Sequence, residues 1–217
     1  MRVLSLFDGI SCGQVALQKL GVKVDRYFAS EIDEYAISVT QKRFPSTIQL
    51  GDVTKVKAAH VGSIDLLYGG SPCQSFSKSY SQSDRGFDGS SKLFWEYVRI
   101  LREVKPKYFL LENVIMKQEY VDIISKELGV DPIKINSSHF SGCQRNRLYW
   151  TNIPLTAMPT ATDKTLVDYI DIRESNYRVS AKIQDRYQTL EEANHKLVGH
   201  HSIVGTTSPP FRRIGQR

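Results

Sequence analysis

Short apolar segments that alternate with helical segments constrain the fold of this chain more than any other feature. Strand-like segments occur at residues 2–7, 24–29, 47–50, 64–68 and 108–111, and helical patterns separate most of them. The strands lack polar and apolar alternation, which is typical of parallel strands buried on both faces. The pattern therefore predicts an α/β fold, a doubly wound and mostly parallel sheet.

The second half of the chain continues this pattern only in part. Residues 131–135 and 147–152 predict two further strands that pair at the sheet edge. After residue 154 the alternation of strand-like and helical segments ends, and Thr, Ser, Asp and His become more frequent. One helix is predicted there, at residues 181–194. We therefore predict two domains, residues 1–154 and residues 155–217.

Composition limits the class of protein. Of 217 residues, 41% are hydrophobic and 24% are charged, as in ordinary globular proteins. No N-terminal apolar run is long enough for a signal peptide or a membrane span, so an intracellular location is expected. The cysteines, Cys12, Cys73 and Cys143, are too far apart to predict a disulfide framework or a zinc pair. A net charge of +6 is compatible with a polyanionic partner.

The first strand-to-helix turn, residues 7–13, has the sequence Phe-Asp-Gly-Ile-Ser-Cys-Gly. Doubly wound folds bind nucleotide-like cofactors here, and glycine lets a ligand approach the backbone. The spacing is not G-x-G-x-x-G, so a dinucleotide site is not supported, and a tight turn without a ligand explains the motif equally well. Glu31 and Asp52 follow the next two strands, where acids accept hydrogen bonds from ribose hydroxyls. Either acid could instead cap a helix.

A possible nucleophile follows the fourth strand. Cys73 lies in the run Gly-Gly-Ser-Pro-Cys-Gln-Ser-Phe-Ser, at the strand end that faces the ligand crevice of such folds. A buried structural cysteine is the commoner role for an isolated cysteine, but these polar neighbours would form a poor hydrophobic wall. The long polar loop at residues 74–91 is typical of a functional lid or a disordered segment.

Charged residues flank the later strands. Glu112 lies at the end of the fifth strand, where it could hydrogen-bond or protonate a ring nitrogen, although a capping or salt-bridge role is the commoner alternative. Arg145 and Arg147 precede an apolar strand and would project from one side of an extended chain. They could orient a base and its phosphate, or they could simply be solvated.

Taken in order, these segments resemble the DNA (cytosine-5)-methyltransferases, and their sequences are most similar to those of the vertebrate de novo class. The resemblance extends to about residue 152. The matching segments are residues 5–10, 27–31, 51–53, 70–73, 93–96, 112–114 and 145–150.

The resemblance implies a Rossmann-like fold of the S-adenosylmethionine-dependent methyltransferase type. It implies S-adenosylmethionine as the cofactor, without a metal, and a cytoplasmic protein, or a nuclear one in a eukaryote. Residues 1–154 would be the catalytic domain and residues 155–217 the start of a target-recognition region. The residues that would line the cofactor pocket are Phe7, Asp8, Gly9, Ile10, Glu31, Ile32, Asp52, Val53, Gly70 and Leu93.

The resemblance also implies catalytic roles on double-stranded DNA. The Cys73 thiolate would add to carbon 6 of a flipped-out cytosine, while Glu112 holds the ring nitrogen so that carbon 5 accepts the methyl group. Asn113, Arg145 and Arg147 would support the carboxylate and the flipped nucleotide. The loop at residues 74–91 would close over the site.

Two departures from the family pattern are visible. Cys143 occupies the place of a usual glutamine, with Gln144 shifted by one, so neither receives a role. The closing segments of the family, an Arg-x-Gln-Gly-Phe-Pro stretch and a final Gly-Asn helix, have no counterpart. We therefore expect that a second polypeptide or further sequence supplies them.

Two alternatives remain at this stage. The chain could be a catalytically silent methyltransferase-like module that binds DNA or regulates an active homologue. It could also methylate tRNA, although the run Ser-Pro-Cys-Gln-Ser-Phe-Ser at residues 71–77 departs from the Pro-Pro-Cys-Gln-Pro-Phe-Thr of that branch.

Overall fold

The computed structural model describes residues 1–72, 93–141, 144–155 and 157–158. Within them the apolar segments form one sheet with helices packed against it. The strands are β1 (Arg2–Leu6), β2 (Arg26–Ser30), β3 (Ile48–Gln49), β4 (Leu66–Gly69), β5 (Tyr108–Val114), β6 (Ile133–Asn136) and β7 (Asn146–Thr151). The helices are α1 (Cys12–Lys19), α2 (Glu34–Arg43), α3 (Ala58–Val61), α4 (Leu93–Val104) and α5 (Gln118–Leu128).

The strand order confirms the predicted fold class. The sheet runs β3-β2-β1-β4-β5-β7-β6, and the pairs among the first five strands are parallel. Successive connections leave β1 in opposite directions, so the carboxyl ends of β1 and β4 flank a topological switch point. The predicted late strands do extend the sheet, and β7 pairs antiparallel with β5.

The hydrophobic clusters on the two faces of the sheet differ in size. One face carries the larger core, in which Leu4, Leu67 and Leu111 pack with Phe94 and Tyr97 of α4. The opposite face carries a smaller cluster with Val3, Tyr27, Ala29 and Leu66. Leu17 of α1 packs against this smaller cluster, yet no residue of α1 is fully buried.

Local signals explain where several helices begin and end. The Asp33 carboxylate accepts hydrogen bonds from the N–H groups of Tyr35 (2.8 Å) and Ala36 (3.3 Å), which caps the start of α2. Helix α5 ends at Gly129, whose φ of 70° suits glycine.

The chain divides into two compact units. The first comprises residues 1–134 and 147–154, and the second comprises residues 135–146 and 155–217. In the second unit, the Asn136 side chain accepts a hydrogen bond from the Ser138 N–H and caps a 3-10 turn at Ser137–His139. The domain boundary predicted after residue 154 stays a prediction, and the helix predicted at residues 181–194 lies outside the described residues. Among the residues described, no helix is both long and apolar enough to cross a membrane.

Candidate active site

The turn after β1 contains three residues with left-handed backbone conformation. Phe7, Gly9 and Ser11 have φ angles of 57°, 57° and 59°. For a residue other than glycine this costs roughly 1–2 kcal/mol, so the surrounding structure must hold the turn. The Asp8 N–H donates to the Ser30 carbonyl (3.2 Å), and the Ser11 hydroxyl donates to the Asp8 carboxylate. A Cβ at Gly9 would meet nothing within 4 Å, so a ligand has open access to the backbone at this point.

Glu31, directly after β2, connects this turn to the start of the next one. One carboxylate oxygen accepts a hydrogen bond from the Gly9 N–H (2.7 Å), and the other accepts from the N–H groups of Ile32 (2.8 Å) and Asp33 (3.0 Å). A carboxylate offers about four acceptor sites, so these bonds leave room for a further donor. The apolar Ile32 side chain beside it is 73% exposed. A carboxylate next to an exposed apolar surface suits a ligand with hydroxyl groups and a flat ring.

Asp52 serves as a cap, the alternative that the sequence left open. Its Oδ1 accepts from the N–H (2.9 Å) and the hydroxyl (2.8 Å) of Thr54, which caps a 3-10 turn at Val53–Lys55. These two hydrogen bonds lower the pKa of Asp52. The Asp52 side chain remains 41% exposed, so capping does not remove it from solvent. The preceding Gly51 carbonyl accepts from the Ser30 hydroxyl (2.7 Å), which links the ends of β2 and β3.

The other predicted cofactor residues divide between core and surface. Val53 is buried in the main core, and Phe7 and Leu93 are half-buried against it. Ile10 is exposed. Gly70 lies beside Glu112, because a Cβ there would come to 2.9 Å from Glu112 Oε2.

Glu112 and Arg147, two predicted catalytic residues, form an ion pair. Arg147 Nε lies 2.8 Å from Glu112 Oε1, and the two side chains are 18% and 31% exposed. The antiparallel pairing of β5 with β7 brings them together, since Arg147 pairs with Val114 and Tyr149 with Glu112. The salt bridge considered as an alternative role for Glu112 therefore exists, and its partner is the predicted arginine.

Asn113 fixes the chain just before the predicted nucleophile. Its side chain is buried and donates to the hydroxyl (3.2 Å) and the carbonyl (3.4 Å) of Ser71. Asn113 Oδ1 accepts from the Val114 N–H (2.8 Å), so the amide orientation is determined by its partners. Ser71 itself is buried and lies two residues before Cys73.

Some predicted positions are not brought into this group. Cys73, the loop at residues 74–91 and Cys143 lie outside the described residues. Arg145 belongs to the second compact unit, where its N–H donates to Asn136 Oδ1 (3.2 Å). The described residues that the structure does bring together are Gly70, Ser71, Glu112, Asn113 and Arg147.

The structure adds residues that sequence reasoning did not single out. Tyr27 donates from its hydroxyl to Asp8 Oδ1 (2.6 Å), and its hydroxyl also bonds to that of Tyr68. On the other face, Arg99 of α4 donates to the carbonyls of Val53 (3.2 Å) and Val56 (2.9 Å) next to the Asp52 turn. No local pattern reveals these contacts, because each joins residues far apart in the sequence.

Comparisons with known proteins identify relatives of this chain. The family model described as C-5 cytosine-specific DNA methylase matches residues 1–127, more than half of the chain. The orphan methyltransferase M.SPRI of Bacillus phage SPR is 41% identical over 117 residues, which cover 52% of this chain and 26% of that protein. The type II methyltransferase M.NgoBV of Neisseria gonorrhoeae is 35% identical over 119 residues, which cover 52% of this chain and 28% of that protein.

A solved structure is also similar. It is described as that of a DNA modification methyltransferase encoded within an Escherichia coli prophage, and the match has a TM-score of 0.57 at 27% identity. The match covers 70% of this chain and 46% of that one, and the chain spans only about a quarter of the curated relatives given above. The closer likeness to the de novo class stays a prediction, since the family model does not single out that class. The match over residues 1–127 nevertheless means that the chain belongs to the family of C-5 cytosine-specific DNA methylases.

Proposed function

We propose that this chain transfers a methyl group from S-adenosylmethionine to carbon 5 of cytosine in double-stranded DNA, through a covalent adduct with Cys73. The observation that carries the proposal is the arrangement at the end of β5. Glu112 is held by Arg147, and the adjacent Asn113 holds Ser71 two residues before Cys73. Addition to a cytosine ring requires a nucleophile and, near it, an acidic group that can donate a proton to the ring nitrogen.

Glu112 orients the base in this mechanism. Arg147 holds Oε1 at 2.8 Å, while Oε2 faces Gly70, where a Cβ would come to 2.9 Å. Glycine at this position therefore keeps space next to Oε2, and the cytosine ring nitrogen would bind there. In this step the Glu112 carboxyl carries a proton on Oε2 and donates it to that nitrogen, which withdraws electron density from carbon 6 and favours attack on it.

Cys73 supplies the temporary bond. Its thiolate adds to carbon 6, the ring double bond between carbons 5 and 6 opens, and carbon 5 becomes nucleophilic. Carbon 5 then takes the methyl group, whose bond to sulfur breaks and would leave S-adenosylhomocysteine, and carbon 5 loses its proton to a base. The electrons of that carbon–hydrogen bond restore the ring double bond and expel the thiolate, so the enzyme is regenerated.

The residues at the ends of β1, β2 and β3 fit S-adenosylmethionine. Gly9 offers open backbone, Glu31 retains acceptor capacity for ribose hydroxyls, and the exposed Ile32 and Ile10 offer apolar surface to the adenine ring. Asp52, which follows β3, keeps an exposed carboxylate. When bound, the cofactor supplies the electrophilic methyl group.

Completion of the site by further polypeptide is part of the proposal. Helix α1 has no fully buried residue, and Leu20 at its end is 75% exposed. A helix on a sheet normally buries one side, so additional sequence or a second polypeptide that covers α1 would stabilise it and the turn before it. The net charge of +6 favours DNA as the partner of the assembled protein.

Trapping on 5-fluorocytosine tests the mechanism, because fluorine at carbon 5 cannot leave as a cation and the adduct persists. We expect a complex of protein with 5-fluorocytosine DNA that resists denaturation and requires S-adenosylmethionine, formed either by the chain itself or after addition of a C-terminal partner. Cys73→Ala should abolish the complex, whereas Cys12→Ala, which alters an exposed cysteine, should retain it. A complex that persists in Cys73→Ala, or no complex under any condition, would refute the mechanism.

Methyl-transfer assays test the two alternative functions, a catalytically silent module and a tRNA methyltransferase. Methyl transfer that Glu112→Gln abolishes rejects a catalytically silent module. Parallel assays with radiolabelled cofactor on duplex DNA and on tRNA identify the nucleic acid, and transfer to tRNA only would overturn DNA as the substrate.

A further inference from the structure

A pair of buried phenols lies beneath the turn that follows β1. Tyr27 of β2 and Tyr68 of β4 flank β1 on its two sides, in register with Val3 and Ser5, so all four side chains lie on one face of the sheet. The hydroxyl of Tyr27 donates to Asp8 Oδ1 (2.6 Å) and bonds to the hydroxyl of Tyr68. The two phenols thus connect three adjacent strands to the carboxylate of the turn.

Asp8 is committed to this network on both of its oxygens. Oδ1 accepts from Tyr27, and Oδ2 accepts from the hydroxyl of Ser11, one of the left-handed residues of the turn. Gln14 extends the network, because its amide donates to the Ser11 hydroxyl (3.1 Å) and to the hydroxyl of Thr47 (2.8 Å). The side chain of Asp8 therefore points into the protein, and its contribution to the cofactor site is to shape the backbone.

Electrostatics keep both phenols in their neutral, donating form. Burial, the neighbouring Tyr68 and the negative charge of Asp8 raise the pKa of Tyr27 far above its ordinary value. Burial likewise raises the pKa of Tyr68. Near neutral pH the hydroxyls therefore remain hydrogen-bond donors to Asp8 or to each other.

The network also accounts for Gly13, a motif residue that the cofactor does not explain. A Cβ at Gly13 would lie 1.8 Å from the Tyr68 hydroxyl oxygen, so any larger residue would displace the ring. Glycine here lets the first turn of α1 sit directly on Tyr68. The spacing of Gly9 and Gly13 thus serves two purposes, open backbone above the turn and contact with the phenol below it.

We propose that Tyr27 and Tyr68 are positioning residues of the cofactor site: through Asp8 they hold the strained turn in the geometry that presents Gly9 and Glu31 to S-adenosylmethionine. This inference rests on the proposed function. Neither phenol touches the cofactor in this scheme, so removal of a hydroxyl should weaken binding by loosening the turn.

Tyr27→Phe and Tyr68→Phe in the full chain test this, since each removes one oxygen and keeps the packed ring. Tyr97→Phe is the matched control, because Tyr97 is a buried phenol of α4 in the main core on the other face. S-adenosylhomocysteine is the probe, with its Kd measured by calorimetry. We expect Tyr27→Phe to raise the Kd about tenfold, the effect of one buried hydrogen bond to a charged group, Tyr68→Phe to raise it less, and Tyr97→Phe to leave it unchanged.

Hydrogen exchange of the ligand-free protein provides the second measurement. The amides of residues 8–12 should exchange faster in Tyr27→Phe and Tyr68→Phe than in the wild type, whereas in Tyr97→Phe they should exchange at the wild-type rate. Unchanged exchange at the turn, or faster exchange with an unchanged Kd, overturns the positioning role. A wild-type chain that does not bind the probe at all refutes the proposed function, and the cofactor part of this inference fails with it. If instead the wild type binds the probe and only the expected effects of Tyr27→Phe and Tyr68→Phe are missing, the positioning role fails and the proposed function stands.

Discussion

Arg99 joins α4 to the segment that follows β3, and its removal allows a quantitative test of the packing. Its guanidinium donates to the carboxylates of Glu96 (2.9 Å) and Glu103 (2.7 Å) and to the carbonyls of Val53 and Val56. Arg99→Met keeps the length and the apolar stem and removes all four bonds. The side chain is 32% exposed, so the two ion pairs are discounted to about 0.5 kcal/mol each.

The bonds to the two carbonyls contribute more. A charged donor to a partly buried carbonyl stabilises by about 1 kcal/mol, so the whole substitution should cost roughly 3 kcal/mol of unfolding free energy. With a slope of about 2 kcal/mol per molar urea, the urea midpoint should fall by about 1.5 M. Circular dichroism during urea titration measures it.

Arg102→Met is the matched control on the same helix. Arg102 is 67% exposed and bonds to Glu127 at 2.5 Å, so its loss should cost less than about 1 kcal/mol. If Arg99→Met and Arg102→Met lower the midpoint equally, the bonds to Val53 and Val56 contribute nothing. Stabilisation of the segment after β3 by α4 would then be refuted.

Two further predictions concern the site and the pH dependence. Gly70→Ala would place a Cβ 2.9 Å from Glu112 Oε2, so it should reduce methyl transfer at least tenfold while thermal denaturation shifts little; unchanged transfer would show that Oε2 is not needed. The hydrogen bond from Arg99 lowers the pKa of Glu103 below its ordinary 4.5, so this group contributes stability above pH 4.5 that is lost as the pH falls through the lower folded pKa. Urea unfolding of wild type and Glu103→Gln between pH 7 and 3 should show a constant difference down to about pH 4.5 and convergence below it; convergence already near pH 6 would contradict this assignment.

The sequence was sufficient for features that depend on local chemistry. Apolar segments without alternation predicted the buried parallel strands, because this signal acts within a few residues. The order of motifs along the chain was sufficient for the family, as the match over residues 1–127 confirms.

Only the tertiary structure decided how the site residues face one another. The strand β7 pairs antiparallel with β5, and this pairing brings Arg147 to Glu112 across 34 intervening residues. The sequence could not choose between a salt bridge and a solvated arginine, because the choice depends on which strand β7 joins. Likewise the sequence predicted Asp8 as a cofactor residue, and the structure shows that its carboxylate accepts hydrogen bonds from Tyr27 and Ser11.

The glycines show the same division. The sequence marked Gly13 and Gly70 as positions in motifs, and the fold supplied the physical reason for each. Gly13 is opposed by the Tyr68 hydroxyl and Gly70 by Glu112 Oε2, both from strands distant in sequence. Local sequence patterns determined that strands and turns form here. Whether a position in a turn must be glycine depends on the atom that a Cβ would meet, and that atom belongs to a strand distant in sequence. Only the tertiary structure could therefore supply the reason.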